Sequence, residues 1–188
     1  MSLLADRLRK NISLSERKIK TVLAAYTPIT TKHNQILLRK GEIANHLYFV
    51  DEGCLRVFVT DDAENTFTRI LIEEGMEGTA FPSFVQRQPS SASIQCIGKC
   101  KVLSLSYQER ERLYAKVPEL ETYYRKVIEI AYVESIHRIE CLISMNAKKR
   151  YHQLLKEKPK MVQQLPSNVI AEYLGISKET LSRLKSRK

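Results

Sequence analysis

The chain has 188 residues, of which 43% are hydrophobic, and a formal net charge of +10. This length suits one medium domain or one domain with a small appendage, and the apolar content excludes a disordered chain. From Met145 onward there are 11 Lys or Arg and 3 Asp or Glu, a net +8 that favours a polyanion such as nucleic acid as the partner.

The sequence predicts a cytoplasmic protein with reduced thiols. Its first residues, MSLLADRLRKNISLSERK, are charged and amphipathic, unlike the apolar core of a signal peptide. No run approaches the roughly 18–20 apolar residues of a membrane span. In a chain without a secretion signal, cysteines indicate free thiols rather than a disulfide framework. The cysteines are Cys54, Cys96, Cys100 and Cys141.

The first predicted element is helical. Apolar residues recur at helical spacing from Leu3 to about Ala25, and Ser13 or Ser15 could cap the second half of this segment. Pro28 and the polar residues after it end the helix.

From Gln35 to about Leu105 the pattern changes to short apolar runs separated by Gly and acidic turns. Leu47–Val50 predicts one strand, Asp51–Gly53 a tight turn, and the alternation of apolar residues at 55, 57 and 59 the next strand. TFTRILI and SASIQC alternate similarly, and CKVLSL closes the region. Strands at this spacing favour an antiparallel roll or barrel over a parallel sheet.

A short charged helix, SYQERERLYAKVP, is followed by a long helix from about Glu119 to Ser144 that contains no Gly or Pro. This long helix has two apolar stripes, where packing on a single core needs only one. Burial within its own domain is one interpretation, but packing on the roll with one stripe and on a twin helix with the other explains both better. His137, Arg138 and Glu140 would then lie near the rim of the seam. The stripes are Leu120, Tyr124, Val127 and Ala131, and Tyr132, Ile136, Ile139 and Ile143.

A second change of composition comes at Met145. Another helix is predicted from Asn146 through Leu155, and the connector after it has room for a minimal hairpin at Met161–Leu165. We therefore predict three parts: a sensor roll with N-terminal helices (1–117), a dimerisation helix (118–145) and a small C-terminal domain (146–188).

The C-terminal part has the spacing of a helix-turn-helix around Gly175. Ser167 and Ser177 would cap its two helices. A small residue four positions before the glycine lets the helices cross closely, and glycine itself takes a turn conformation that costs a side chain too much. The positions that must be apolar or small are filled by Ile170, Ala171, Leu174, Ile176, Leu181 and Leu184.

The residues between these buried positions would turn outward and contact DNA. An Arg can bind guanine O6 and N7 bidentately in the major groove, and a Glu can accept from the cytosine amino group. Ser, Thr and Lys fix register through phosphates. A helical hairpin packed only for stability is the alternative, because apolar spacing alone does not exclude it. We predict base contacts by Lys178, Glu179 and Arg183, and phosphate contacts by Ser167, Ser177, Thr180 and Lys185.

This order of roll, long helix and helix-turn-helix resembles the Crp/Fnr family of bacterial transcription regulators. KGEIANHLYFVDEGCLRVF (Lys40–Phe58) is similar to the family's opening roll motif, and IAEYLGISKETLSRL (Ile170–Leu184) to its DNA-reading motif. Together they extend the resemblance over nearly the whole chain.

The resemblance implies an α+β fold: an antiparallel, jelly-roll-like β-roll with flanking helices, a long dimerisation helix and a small, winged helix-turn-helix domain. It also implies a homodimer on a near-palindromic site, with half-sites about 34 Å apart. It leaves RNA polymerase open as a further partner. The wing is compressed into MVQQLP in this sequence, so we expect fewer DNA contacts from it.

Family members that bind cyclic AMP have a cassette in which a Glu meets the ribose and an Arg the cyclic phosphate. Here Ser90 stands in the Arg position, and Glu77, the only acid near the Glu position, precedes its Gly. Without the Arg, a cyclic nucleotide would bury an unpaired anion. Arg87 could substitute from three residues upstream, but we expect that cyclic AMP is not the effector. The candidate pocket, for another ligand or for none, comprises Glu77, Phe81, Arg87, Ser90 and Ser91.

Other sensor types find little support in the sequence. Fnr-type members hold an iron–sulfur cluster through an N-terminal cysteine group, whereas the first cysteine here is Cys54, inside the roll. Cys96 and Cys100 could sense metal or redox state, although buried thiols in strands are commoner. We therefore expect no metal and no cofactor. Haem would need an axial His, and the histidines are scattered: His33, His46, His137 and His152.

Two other classes of function, an enzyme and a regulatory module, are compatible with a small roll. Cupin enzymes share the small roll but need closely spaced His ligands with a carboxylate, and this sequence has no His-x-His, P-loop or paired-cysteine metal motif. We therefore predict that it is not an enzyme. A ligand-binding regulatory module that acts through protein contacts, without sequence-specific DNA binding, is the alternative to a DNA-binding regulator.

Overall fold

The computed structural model describes residues 3–186. The chain separates into two compact units, one formed by Met1–Val59 with Ile70–Val127 and the other by Thr60–Arg69 with Ile128–Lys188. The predicted boundaries at 117/118 and 145/146 stay predictions.

The strands form an antiparallel sheet, as predicted. The order is β1-β6-β3-β4, with β2 also paired to β6 and β5 to β3. Phe49, Leu55, Ile94 and Leu105 are completely buried and form much of the core of this unit. The strands are β1 (Thr27–Thr30), β2 (Ile36–Leu38), β3 (His46–Thr60), β4 (Thr66–Ile72), β5 (Glu77–Gly78) and β6 (Ser93–Ser106).

The predicted tight turn at Asp51–Gly53 is wrong, because β3 runs through these residues as one strand. Its first half pairs with the end of β6 and its second half with the beginning of β6, so the chain direction never reverses. The pairing register shifts twice between Val50 and Cys54, so the acidic residues of this segment lie in bulges of the strand. Gly53 in the same segment has φ +97°. A bulge with a positive-φ glycine therefore imitates a turn in the sequence.

The helices lie at both ends of the chain and between the strands. Ser15, rather than Ser13, caps α2 by accepting a hydrogen bond from the Lys18 amide, and Asn146 caps α6 in the same way from Lys149. The helices are α1 (Leu3–Asn11), α2 (Glu16–Ala25), α3 (Phe81–Gln86), α4 (Tyr107–Lys116), α5 (Glu119–Ser144), α6 (Ala147–Glu157), α7 (Pro159–Gln164), α8 (Ser167–Leu174) and α9 (Lys178–Ser186).

The predicted hairpin at Met161–Leu165 is also wrong, because α7 occupies that segment. Pro159 stands in its first turn, where the missing N–H is tolerated, and Met161 and Val162 are buried. Within residues 3–186 no strand follows β6, so the described part of the small C-terminal domain is entirely helical and has no wing.

In the part of the chain that the structure describes, no helix combines the length and the apolar character needed to cross a bilayer.

Candidate nucleic-acid interface

Helices α8 and α9 are joined by a turn at Gly175, as the spacing predicts. Gly175 has φ +63° and ends α8 in the left-handed conformation. Its amide donates to carbonyls of the last turn of α8, and the Ile176 amide reaches back to the Ala171 carbonyl at 3.1 Å. These bonds form a Schellman-type ending, which requires a residue at positive φ. The glycine is therefore needed for its conformation.

The predicted buried positions hold the two helices together. Ile170, Ala171, Leu174 and Leu181 are at most 4% exposed, and Ile176 and Leu184 are half-buried. All six stand at the predicted positions before and after Gly175, on the sides of α8 and α9 that are turned away from solvent. The pair is therefore packed on the inside and leaves one face of α9 to solvent.

The three predicted base-reading residues all lie on that outer face. Lys178, Glu179 and Arg183 are exposed, whereas Leu181 between them is buried. Arg183 Nε donates only a long bond, 3.4 Å, to the Glu179 carbonyl. The pKa of Glu179 is lowered by hydrogen bonds from its own amide and from Ser177, so the carboxylate is ionised at neutral pH. An exposed Arg and an exposed carboxylate are the donor and acceptor that base edges require.

The predicted phosphate-binding residues make bonds within the helix pair. Ser177 Oγ accepts from the Thr180 amide (3.2 Å) and donates to Thr180 Oγ1, which confirms Ser177 as the cap of α9. Lys185 Nζ donates to Ser167 Oγ at 2.8 Å and thus ties the end of α9 to the start of α8. Ser167 does not cap α8 as predicted, because the N-cap residue of this helix is Pro166. Their role toward phosphates stays a prediction.

Sequence reasoning missed two arginines that hold the end of α8. Arg138, predicted near the rim of the helix seam, donates through Nη2 to the Tyr173 carbonyl (2.6 Å) and the Thr68 carbonyl (3.1 Å). Arg150 donates to the Leu174 carbonyl (3.0 Å) and the Met145 carbonyl (2.6 Å). No motif marks these contacts in the sequence, because their partners are backbone carbonyls, which every residue has.

The two predicted stripes of α5 have different surroundings. Leu120, Tyr124 and Val127 join the core of the first unit, although Ala131 is exposed. The second stripe has no cover in the described chain: Tyr132 is 66% exposed, Ile136 39%, Ile139 52% and Ile143 79%. Ile128 and Leu142 extend this row at helical spacing and are also exposed. An apolar row of this length on one helix face is the mark of an interaction surface.

In the candidate ligand pocket, Glu77 belongs to a buried tyrosine cluster. Its carboxylate accepts from Tyr123 Oη (2.7 Å) and Tyr26 Oη (3.1 Å), and Tyr26 and Tyr124 share a further bond of 2.8 Å. Arg7 donates to Tyr123 Oη at 3.0 Å. Burial raises the pKa of the Glu77 carboxyl, while the tyrosine bonds and the Arg7 charge act in the opposite direction. The cluster therefore uses Glu77 as an internal anchor.

Arg87 and the serines of the candidate pocket lie elsewhere in the roll. Arg87 donates to the Ala44 carbonyl (2.7 Å) and to Asn45, and its guanidinium stacks on Tyr107 at 4.4 Å. The Ser90 hydroxyl donates to the Ala92 carbonyl at 2.7 Å, whereas Ser91 and Phe81 are exposed. Arg87 and Ser90 thus have internal partners, and a ligand would have to replace them.

Cys96 and Cys100 are neighbours, as the sequence suggested. Both are buried in β6, on either side of Gly98, which has φ +76°. Interaction between the two thiols raises the pKa of Cys96 and lowers that of Cys100. In residues 3–186 no group of three or more metal-binding side chains is found.

Residues 28–117 match the family model of the cyclic nucleotide-binding domain. This match begins within β1 and ends after α4, so it covers nearly the whole sheet. The sequence matches no curated protein.

Three solved structures extend the likeness beyond this domain. The global regulator CLP of Xanthomonas campestris, described as c-di-GMP responsive, is similar at 15% identity over 92% of this chain and 91% of that chain, with a TM-score of 0.73. A CooA mutant from Carboxydothermus hydrogenoformans is similar at 18% identity over 99% and 83%, with a TM-score of 0.73. A Crp/Fnr-family regulator from Eubacterium rectale is similar at 15% identity over 94% and 83%, with a TM-score of 0.72. The predicted resemblance and α+β fold are thus confirmed, and at these identities the likeness shows the fold alone.

Proposed function

We propose that the protein is a Crp/Fnr-type transcriptional regulator that binds a near-palindromic DNA site as a homodimer. The observation that carries the proposal is the outer face of α9, where Lys178, Glu179 and Arg183 are exposed while Leu181 anchors the helix from behind. A helix with this division of faces can enter the major groove without losing its own core. The function is regulatory rather than catalytic and belongs to the cytoplasm, where the DNA lies.

Charge and the α5 stripe support the same proposal. The excess positive charge after Met145 lies in the same part of the chain as α8 and α9, and phosphate neutralisation there would supply salt-dependent affinity. The uncovered row from Ile128 to Ile143 fits a twin α5. Pairing the two helices would present two copies of α9, as a palindromic site requires.

We further propose that cyclic AMP is not the effector. The position that needs a cationic partner for the cyclic phosphate is occupied by Ser90, whose hydroxyl is bonded to Ala92. Glu77 is held by Tyr26 and Tyr123, and Arg87 by the Ala44 carbonyl. A thermal shift assay tests this, because a ligand at 100 times its dissociation constant stabilises by about 2.7 kcal/mol. We expect no shift with cyclic AMP, and a clear rise in melting temperature would contradict the proposal.

Selection of bound sequences from a random duplex pool, with purified protein and no added ligand, tests DNA reading. We expect a palindromic consensus with half-sites about one helical turn apart. If nothing is enriched, the selection is repeated with cell extract to supply an effector. Failure there as well would favour the regulatory module that acts through protein contacts.

Arg183→Ala then tests the assignment of α9. Loss of a bidentate guanine contact costs about 1–3 kcal/mol and relaxes specificity at that position, while binding to random DNA and its salt dependence persist. Arg17→Ala, which removes an exposed arginine on α2, is the matched control and should bind like the wild type. Equal losses on specific and random DNA would contradict Arg183 as a base reader.

A further inference from the structure

Polar contacts around a cavity take part in attaching the α8–α9 pair to α5. A cavity of about 180 Å³ lies among α5, α6 and the end of α8, and its lining includes Arg138, Arg150 and Tyr173. Close apolar packing therefore does not fill this junction. Among the contacts that cross it are the hydrogen bonds of the two arginines to the last carbonyls of α8 and the approach of Leu142 to Gly175.

Arg138 links three elements of the second unit. From α5 its Nη2 reaches the Tyr173 carbonyl at the end of α8 and the Thr68 carbonyl in β4, and its guanidinium lies 3.8 Å from the centre of the Tyr173 ring. Thr68 Oγ1 also donates to Glu172 in α8 at 2.9 Å. Burial lowers the pKa of Arg138, but a guanidinium remains charged at neutral pH. The end of α8 is thus bonded both to α5 and to the hairpin formed by residues 60–69.

Arg150 links two helix ends. From α6 its Nε reaches the Leu174 carbonyl, and its Nη1 reaches the Met145 carbonyl just beyond α5. Carbonyls at a helix C-terminus have no partner within the helix and carry partial negative charge, so a cation there is favoured. Two guanidiniums therefore satisfy the end of α8 with donors from its neighbours.

We infer that Arg138 and Arg150 form a clamp that fixes the position of the reading helices on α5, and thereby the separation of the DNA half-sites that the protein accepts. The inference rests on the proposed function for its DNA readout, but the clamp itself is a property of one chain. A planar guanidinium suits this role because it holds two carbonyls at fixed angles and stacks on a ring, which an ammonium does not do. Arg138 and Arg150 are positioning residues, because they act through α9.

The first test compares half-site spacing. Wild type, Arg138→Ala and Arg138→Lys are each selected against a duplex pool in which two fixed half-sites are separated by variable lengths. We expect the wild type to select one preferred separation of the half-sites. Arg138→Ala should select the same half-sites at a broad range of separations. Its affinity for the separation that the wild type prefers should be lower by a factor of about ten or more. Arg138→Lys should be intermediate. Arg125→Ala, an exposed arginine earlier on α5, is the control and should keep the single separation.

A second measurement needs no DNA. Spin labels on Val133→Cys in α5 and Ser182→Cys in α9, in a Cys141→Ser background diluted with unlabelled protein, report the distance within one chain. We expect a narrow distribution of the distance between positions 133 and 182 when residue 138 is arginine, and a broad distribution in Arg138→Ala. If Arg138→Ala fails to fold, Tyr173→Leu removes the ring stack alone and should broaden the distribution partly.

The outcomes separate the two proposals. Equal distance distributions in wild type and variants would overturn the clamp, whatever the DNA data show, and so would a uniform loss of affinity with an unchanged separation. A broadened distribution in a protein that selects no DNA would support the clamp and contradict the proposed function.

Discussion

The uncovered stripe of α5 makes a quantitative prediction about assembly. Ile139 lies in the middle of the row and is 52% exposed in one chain. Complete burial of an isoleucine contributes about 1.5–3 kcal/mol, so covering the exposed half contributes about 0.8–1.5 kcal/mol per subunit and twice that per dimer. Ile139→Asp removes this contribution and also brings two carboxylates into an apolar seam. Since 1.4 kcal/mol is a factor of ten, we expect the dimer dissociation constant to rise at least about 100-fold.

Sedimentation velocity over a wide range of protein concentration measures this change directly. Val85→Asp is the matched control, because Val85 on α3 is 47% exposed but lies outside the stripe, and it should sediment like the wild type. The half-site selection should fail with Ile139→Asp and succeed with Val85→Asp. A wild type that stays monomeric at every concentration, or an Ile139→Asp variant as dimeric as the wild type, would refute the assignment of this face.

Three further predictions concern two glycines with positive φ and the buried carboxyl of Glu77. Gly175→Ala should lower the free energy of unfolding by about 1–2 kcal/mol, because φ +63° penalises a Cβ; an unchanged thermal midpoint would contradict this. Gly53→Ala should lower the free energy of unfolding by on the order of 1–3 kcal/mol more than Gly41→Ala does. Both glycines have positive φ, but only a Cβ at position 53 would lie 2.8 Å from Cys100 Sγ. Equal decreases of this free energy for the two variants in urea denaturation would disprove the packing argument. Because the pKa of Glu77 is raised in the folded state, the folded protein binds this proton more tightly, and the free energy of unfolding falls as pH rises from the unfolded-state pKa of about 4.3 through the folded-state pKa. Glu77→Gln should remove this fall when urea denaturation is measured across that pH range. The same pH dependence of stability in wild type and Glu77→Gln would refute the assignment to Glu77.

Sequence patterns predicted best where a single chain segment determines the outcome. The spacing around Gly175 gave both the turn and the buried set of α8 and α9, because helix periodicity and positive φ are local properties. The two stripes of α5 were predictable for the same reason. The position of Arg183 on the outer face follows from its spacing to Leu181 and needed no tertiary information.

Features that depend on distant partners were predicted poorly. Asp51–Gly53 has the composition of a turn, but pairing with β6 over the whole strand outweighs that local preference and turns the segment into bulges. Met161–Leu165 suited a hairpin only by analogy with a wing, whereas Pro159 in the first turn favours the helix that forms. The carbonyl partners of Arg138 carry no side-chain signal, so no pattern in the sequence could have indicated them.

The use of Glu77 bears on how such a protein would be controlled. In a ligand-gated domain, the effector shifts the population between two arrangements of the protein through contacts that differ between them. Here Glu77 is bonded to Tyr123, in the first turns of α5, and to Tyr26 beyond α2. The sheet and the start of α5 are thus joined by buried hydrogen bonds within the protein. This arrangement supports the proposal that cyclic AMP is not the effector, because Glu77 already has partners within the protein.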